Sequence, residues 1–140
     1  MIKNSTLVLS FITALLVVVV FANQAGAKKF GRISLPLGNV EVQSGGAGDW
    51  KKAKPNFPVS EGDIIRTLAK SRAEITLIGG GKVRIGENSE LVLNKASVKP
   101  MEKNFNASLN KGNIWVSAKA AFGEKKNVSV RTPTAVAAIR

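Results

Sequence analysis

Apolar and polar residues alternate at period two along most of the chain, and glycine-bearing turns break the alternation at short intervals. A strand sends successive side chains to opposite faces, so this pattern specifies half-buried strands and provides no stripe for an amphipathic helix. Val40-Glu41-Val42, Ile64-Ile65-Arg66-Thr67, Ala73 to Ile78 and Lys82-Val83-Arg84-Ile85 are expected strands, the last with its basic residues outward. Glu90-Leu91-Val92-Leu93, Asn113-Ile114-Trp115-Val116, Asn127 to Arg131 and Ala135 to Ile139 continue the series. Their centres fall about every ten residues, the spacing of a compact all-β domain. All-β is therefore the expected fold class. The inward residues Ala73, Ile75, Val83, Ile85, Leu91 and Leu93 suit a short β-solenoid-like stack of strands. A two-sheet β-sandwich is the alternative, and periodicity does not separate the two.

The connections carry turn chemistry. Gly79-Gly80-Gly81 joins two alternating strands, and glycine supplies the positive φ of tight hairpins. Gly62-Asp63 and Asn88-Ser89 mark further turns, with Asp63 expected to cap the turn that aims Ile64 inward. Pro133 lacks an N–H and belongs at a strand start, an edge or a turn. Gly38 to Gly48 and Lys51 to Pro58 read as loops.

Residues 1–27 read as a separate segment. Lys3 supplies a positive start, an apolar run from Leu7 to Ala22 follows, and Ala25-Gly26-Ala27 sets small residues before a cleavage after Ala27. That is the layout of a secretory signal peptide. The run falls short of the about 20 residues that cross a bilayer core. Lys28, Lys29 and Arg32 also outnumber Lys3 on its far side, the wrong way round for an N-in anchor. The expected plan is signal peptide 1–27, an N-terminal linker 28–39 and a β domain 40–140. A final apolar strand at the terminus would leave an open edge, so the β domain is expected to be cut short at its C-terminal end. Export places the chain in the periplasm or outside the cell, with no integral membrane segment after cleavage.

Composition narrows the chemistry. The chain has no Cys and no His, which removes disulfides, thiolates, the commonest zinc ligands and the commonest general base. A formal charge of +12 falls by one when the leader leaves with Lys3. An exported chain this basic meets anionic envelope polymers rather than nucleic acid. The apparent catalytic motifs are weak. Gly79-Gly80-Gly81-Lys82 lacks the remaining positions of a phosphate loop, and strands flank it on both sides. Ser108-Leu109-Asn110-Lys111 has the Ser-x-x-Lys spacing but needs a helix to bring the pair together. Glu61/Asp63 and Glu87/Glu90 are the near carboxylate pairs, and they lie at turns. No catalytic residue, cofactor or metal is expected.

Trp50 and Trp115 are the two large flat side chains, and there is no Tyr. Packing against the core or a loop is the expectation for both, although an outward Trp115 would offer a face to a sugar ring. Trp50 with Lys51, Lys52 and Lys54 is the most ligand-like cluster and the expected ligand contact.

From Val59 the chain reads V-S-E-G-D-I-I-R-T, then S-R-A-E-I-T-L, then G-G-K-V-R-I-G-E-N-S-E-L-V-L, and later K-G-N-I-W-V and V-R-T-P-T-A-V-A-A-I-R. Gly62-Asp63, Arg66-Thr67, Asn88-Ser89 and Thr132-Pro133-Thr134-Ala135-Val136 in this order resemble the FecR domain, the periplasmic domain named after the ferric-citrate regulator. The resemblance spans Val40 to Arg140. It implies an all-β, solenoid-like extracytoplasmic domain without known catalysis. The expected function is a non-catalytic binding or scaffolding module of the cell envelope, whose partner is an envelope protein or an anionic envelope polymer. The alternative is a periplasmic signalling regulator of the iron-transport, anti-sigma type, and a carboxylate-pair hydrolase stands third. The leader argues against the regulator, because it leaves no cytoplasmic segment to hold a sigma factor.

Overall fold

Where small and branched residues alternate with polar ones, each apolar side chain reaches the core and each polar one leaves it. In a computed structural model that describes residues 26–119, 123–133 and 136–139, Ala73, Ile75 and Leu77 are buried while Glu74 and Thr76 face away. The expected leader core at 1–25 and the Thr134-Ala135 part of the last motif lie outside the described residues. The strands are β1 (Lys29–Leu37), β2 (Val40–Gln43), β3 (Trp50–Lys52), β4 (Phe57–Ser60), β5 (Ile64–Thr67) and β6 (Arg72–Leu77). They continue as β7 (Lys82–Ile85), β8 (Glu90–Lys99), β9 (Glu102–Lys111), β10 (Ile114–Ser117), β11 (Lys125–Arg131) and β12 (Val136–Ile139). A single 3-10 turn occupies Ser44–Gly46.

These strands form two sheets. One has five strands in the order β10-β7-β6-β1-β4, and the other has seven in the order β12-β11-β9-β8-β5-β2-β3. Neighbours are antiparallel except for the parallel pair β9 and β11. The chain is all-β, and of the two arrangements left open by periodicity the two-sheet one is formed. Stacked solenoid coils would need parallel ladders between successive turns, whereas the hairpins β6–β7 and β8–β9 fold back on themselves. The inner faces meet in one core, where the rings of Phe30 from β1 and Phe105 from β9 pack edge-on at 5.1 Å. Such a pair adds roughly 1 kcal/mol beyond the area it buries.

Residues 28–39 are not a linker. β1 lies between β4 and β6, and Phe30 and Ile33 are core residues. The register of β1 shifts against β4 between Lys29 and Gly31, and against β6 between Ile33 and Leu35. These bulges leave the two buried side chains three apart and break the period-two signature. The expected loops are likewise partly strand. β2 falls within 38–48, and β3 and β4 occupy most of 50–60. A further correction concerns Ile64, which is half-buried on the outer face, while Ile65 is fully buried.

Candidate functional site

The antiparallel hairpin that turns at Gly79-Gly80-Gly81 sets Glu74 opposite Arg84 and Thr76 opposite Lys82. Directly opposed residues share a face, so these four side chains stand on the outer face of the five-stranded sheet. The edge strand β10 extends the same rows, with Trp115 opposite Arg84 and Ser117 opposite Lys82. On the other side, β1 brings Leu35 opposite Glu74 and Arg32 opposite Thr76. One transverse row therefore reads Leu35, Glu74, Arg84, Trp115.

Glu74 is the acid at the centre of this face. Its two carboxylate oxygens accept from Lys82 Nζ at 2.8 Å and Arg84 Nε at 2.9 Å, and the Ser34 hydroxyl donates to Oε1 at 3.3 Å. The ammonium of Lys82, and then the guanidinium of Arg84, hold its carboxyl below the usual 4.5. Arg84 also lies over the Trp115 ring, 4.9 Å from the centroid, within cation–π range.

Trp115 does not pack into the core. It is 53% exposed, while its neighbours Ile114 and Val116 pack against the core from the opposite face. A groove of about 460 Å³ is lined by Thr76, Lys82, Arg84, Trp115, Ser117 and Lys119. It adjoins a second groove that holds Lys29 and Arg32, and a third that holds Arg72. Cations thus surround a single carboxylate that two of them already neutralise.

The Gly79-Gly80-Gly81 turn behaves as a hairpin and not as an anion cradle. All three glycines have positive φ, and the turn closes through Gly80 N–H to Leu77 O at 3.0 Å. Its outward groups are carbonyls. Those of Gly79 and Gly80 accept from Lys126 Nζ at 2.7 and 2.9 Å, and the Lys119 carbonyl accepts from the same ammonium. Lys126 is 3% exposed, and burial pushes its ammonium below the usual lysine range. This cation clamps the end of β11 to the turn and to the segment after β10.

The expected ligand cluster is arranged differently from its sequence. Trp50 opposes Gln43 and Lys52 opposes Glu41, so both stand on the outer face of the seven-stranded sheet, while Lys51 opposes Val42. The Arg66 guanidinium stands 3.8 Å from the Trp50 ring centroid and pairs with Glu41 at 2.5 Å. Trp50 is half-buried there, and Lys51, Lys52 and Lys54 are exposed.

The turn residues have internal partners. Asp63 is buried, accepting from Gly45 N–H and Ser60 N–H at 2.8 Å each, next to Gly62 with φ +85. Asn88 has φ +48, and buried Ser89 donates its N–H to Thr67 Oγ1 at 3.0 Å. Pro133 is exposed at a bend between β11 and β12. The remaining near carboxylates are also engaged. Glu61 accepts from Ala96 N–H, Glu87 from Lys70 N–H and Glu90 from the Asn110 amide. A bulge between Leu109 and Lys111 sets Ser108 opposite Val92 and Lys111 opposite Glu90, both on the outer face, but on a strand and not a helix, and the Ser108 hydroxyl accepts from Asn94 at 2.6 Å.

Sequence reasoning reached part of the outer face. The β6–β7 hairpin is symmetric about Gly79, so the Glu74–Arg84 opposition follows once the turn is located. Trp115 joins by a non-local pairing that no local pattern announces. Among the described residues no helix is long and apolar enough to cross a membrane. No curated protein and no solved structure matches the chain. A family model described as FecR protein matches residues 63–140, more than half of it.

Proposed function

The chain belongs to the FecR protein family, and from that premise we propose that it is a non-catalytic, extracytoplasmic binding or scaffolding module of the cell envelope. The observation that carries this reading is the outer face of the five-stranded sheet. It presents Arg32, Arg72, Lys82, Arg84 and Lys119 around the one acid Glu74, beside an exposed tryptophan. A surface of that kind attracts polyanions and contributes no reacting group. Glu61, Asp63, Glu87 and Glu90 support the same reading, since each accepts hydrogen bonds that hold a turn or strand in place.

The leader is removed after Ala27, and the mature chain starts at Lys28, one residue before β1 begins. The partner is an anionic envelope polymer or an envelope protein. N-terminal sequencing of the exported product tests the first point, and an intact leader in the membrane fraction would overturn it. Pull-down with purified wall polymers and lipopolysaccharide, across salt concentrations, tests the second. Retention of envelope material at low salt is the expected result. No retention at any salt, or release of cleavage products, would overturn the reading. Retention of a transport receptor in place of a polymer would favour the iron-signalling role.

A further inference from the structure

We propose that the groove between β7 and β10 is a binding site for a carboxylate-bearing sugar unit of an acidic polysaccharide. The inference rests on the envelope-binding reading and names the ligand class of that face. Three features of the groove match three features of such a ring. The indole of Trp115 is flat, apolar and 53% exposed even with Arg84 over it at 4.9 Å from the centroid, and the C–H face of a pyranose stacks on the ring surface left open beside that guanidinium. Lys82, Arg84 and Lys119 supply the charge that a carboxylate needs. The hydroxyls of Thr76 and Ser117 line the same groove and suit the hydroxyls of a sugar. A volume of about 460 Å³ lies within the range of small-ligand sites.

Charge on this face favours an anionic over a neutral saccharide. Glu74 is shared by Lys82 and Arg84, so one carboxylate faces two cations, and Lys119 adds a third at the rim. The bridges are exposed on the cation side, where Lys82 and Arg84 keep 50% and 59% of their side-chain surface open. A second carboxylate therefore reaches them without displacing Glu74. Single-stranded nucleic acid also pairs aromatic rings with cations, but it is held by successive stacking platforms along the strand. Trp115 is the one aromatic among the exposed large apolar side chains of the described residues, and Trp50 is half-buried on the other sheet. One platform fits one sugar.

The test titrates the purified chain with an oligogalacturonate, its methyl ester and a single-stranded oligonucleotide of equal charge. It follows tryptophan fluorescence in a Trp50→Phe background, where Trp115 alone reports. The oligogalacturonate should shift the fluorescence and bind about tenfold more tightly than its ester, the equivalent of one well-formed charged contact. Trp115→Ala should weaken binding about tenfold, as read by calorimetry. Lys82→Gln and Lys119→Gln should each weaken it several-fold, while the charge-matched pair Lys95→Gln and Lys99→Gln on β8 stays within about twofold. Thermal melts check that each variant is folded, and the lysine variants carry the test if Trp115→Ala is not. Equal affinity for acid and ester, equal effects at all lysines, or tighter binding of the oligonucleotide would overturn the site. If acidic polymers are retained by Trp115→Ala as by wild type, the envelope-binding reading stands and this site falls. If nothing in the envelope is retained by either, both fall.

Discussion

Both oxygens of Asp63 are used inside the fold, on the N–H groups of Gly45 and Ser60, and its own N–H and carbonyl bond Ser60 and Leu93. The carboxylate thus ties the turn before β5 to the 3-10 turn after β2, and the backbone carbonyl of the same residue ties it to β8. Removing the carboxylate leaves two N–H groups without an acceptor, each bond to a charged group being worth about 1.5–3 kcal/mol. Asp63→Ala should lower unfolding stability by about 3 kcal/mol, and Asp63→Asn by about half as much, because one acceptor oxygen remains. Chemical denaturation of both variants checks this, and wild-type midpoints would show the turn to be held by its glycines alone. Glu74 works on the surface instead. Its carboxyl is held below 4.5 by Lys82 first and Arg84 second. A folded-state value below the unfolded one means a contribution that is complete above pH 4.5 and lost as pH falls through the lower native value. Glu74→Gln should therefore lower stability slightly above pH 4.5 and leave the acid end, where the wild type has already lost the contribution, almost unchanged, so that the profile between the two is flatter. Melting curves from pH 3 to 7 measure it, and an unaltered profile would mean that the two ion pairs contribute nothing.

At the scale of the strand, the close approach of β1 to β6 depends on Gly31, since a Cβ there would overlap the backbone carbonyl oxygen of Thr76. A backbone atom in a paired strand has no free rotation to relieve the overlap. Gly31→Ala should therefore cost at least about 2 kcal/mol and loosen β1 from the sheet, seen as faster amide exchange along β1 and β6. Unchanged exchange would show that the bulge at this position absorbs the methyl group. The same bulges explain why β1 was illegible in the sequence while its partner was plain. Ala73, Ile75 and Leu77 keep strict alternation on β6, whereas Gly31, Pro36 and two register shifts scatter the inward residues of β1. β9 hid for a different reason. Phe105, Ala107 and Leu109 alternate inward, but Asn104, Asn106, Ser108 and Asn110 between them have poor strand propensity and read as loop. Pairing on both sides overrides that propensity, and the Asn127 amide donates to Asn104 across the parallel ladder at 2.8 Å. The candidate site divides along the same line. Lys82 and Arg84 were legible as outward residues of a hairpin strand. The exposure of Trp115 was not, because β10 pairs with β7 across the intervening strands β8 and β9, a non-local contact that no local pattern announces.

At the scale of the whole molecule, the strong positive charge left after the leader is removed and the groove at Trp115 act on different steps of binding. The summed field reaches beyond contact distance and is cut to about 8 Å near physiological ionic strength, so it governs encounter. The indole of Trp115 acts only within contact, so it governs how long a bound polymer stays. Association and dissociation should therefore respond to separate changes. Raising salt should slow association of an acidic polysaccharide steeply while dissociation changes little. Trp115→Ala should speed dissociation about tenfold and leave association within about twofold. Lys95→Gln with Lys99→Gln, on β8 of the other sheet and outside the groove lining, should do the reverse on a small scale, slowing association slightly at low salt and not at all at high salt. Surface-immobilised polymer with the protein in flow resolves both rates. If Trp115→Ala and the β8 lysines changed the same rate in the same proportion, attraction would be diffuse over the whole surface, and the groove would have no part of its own.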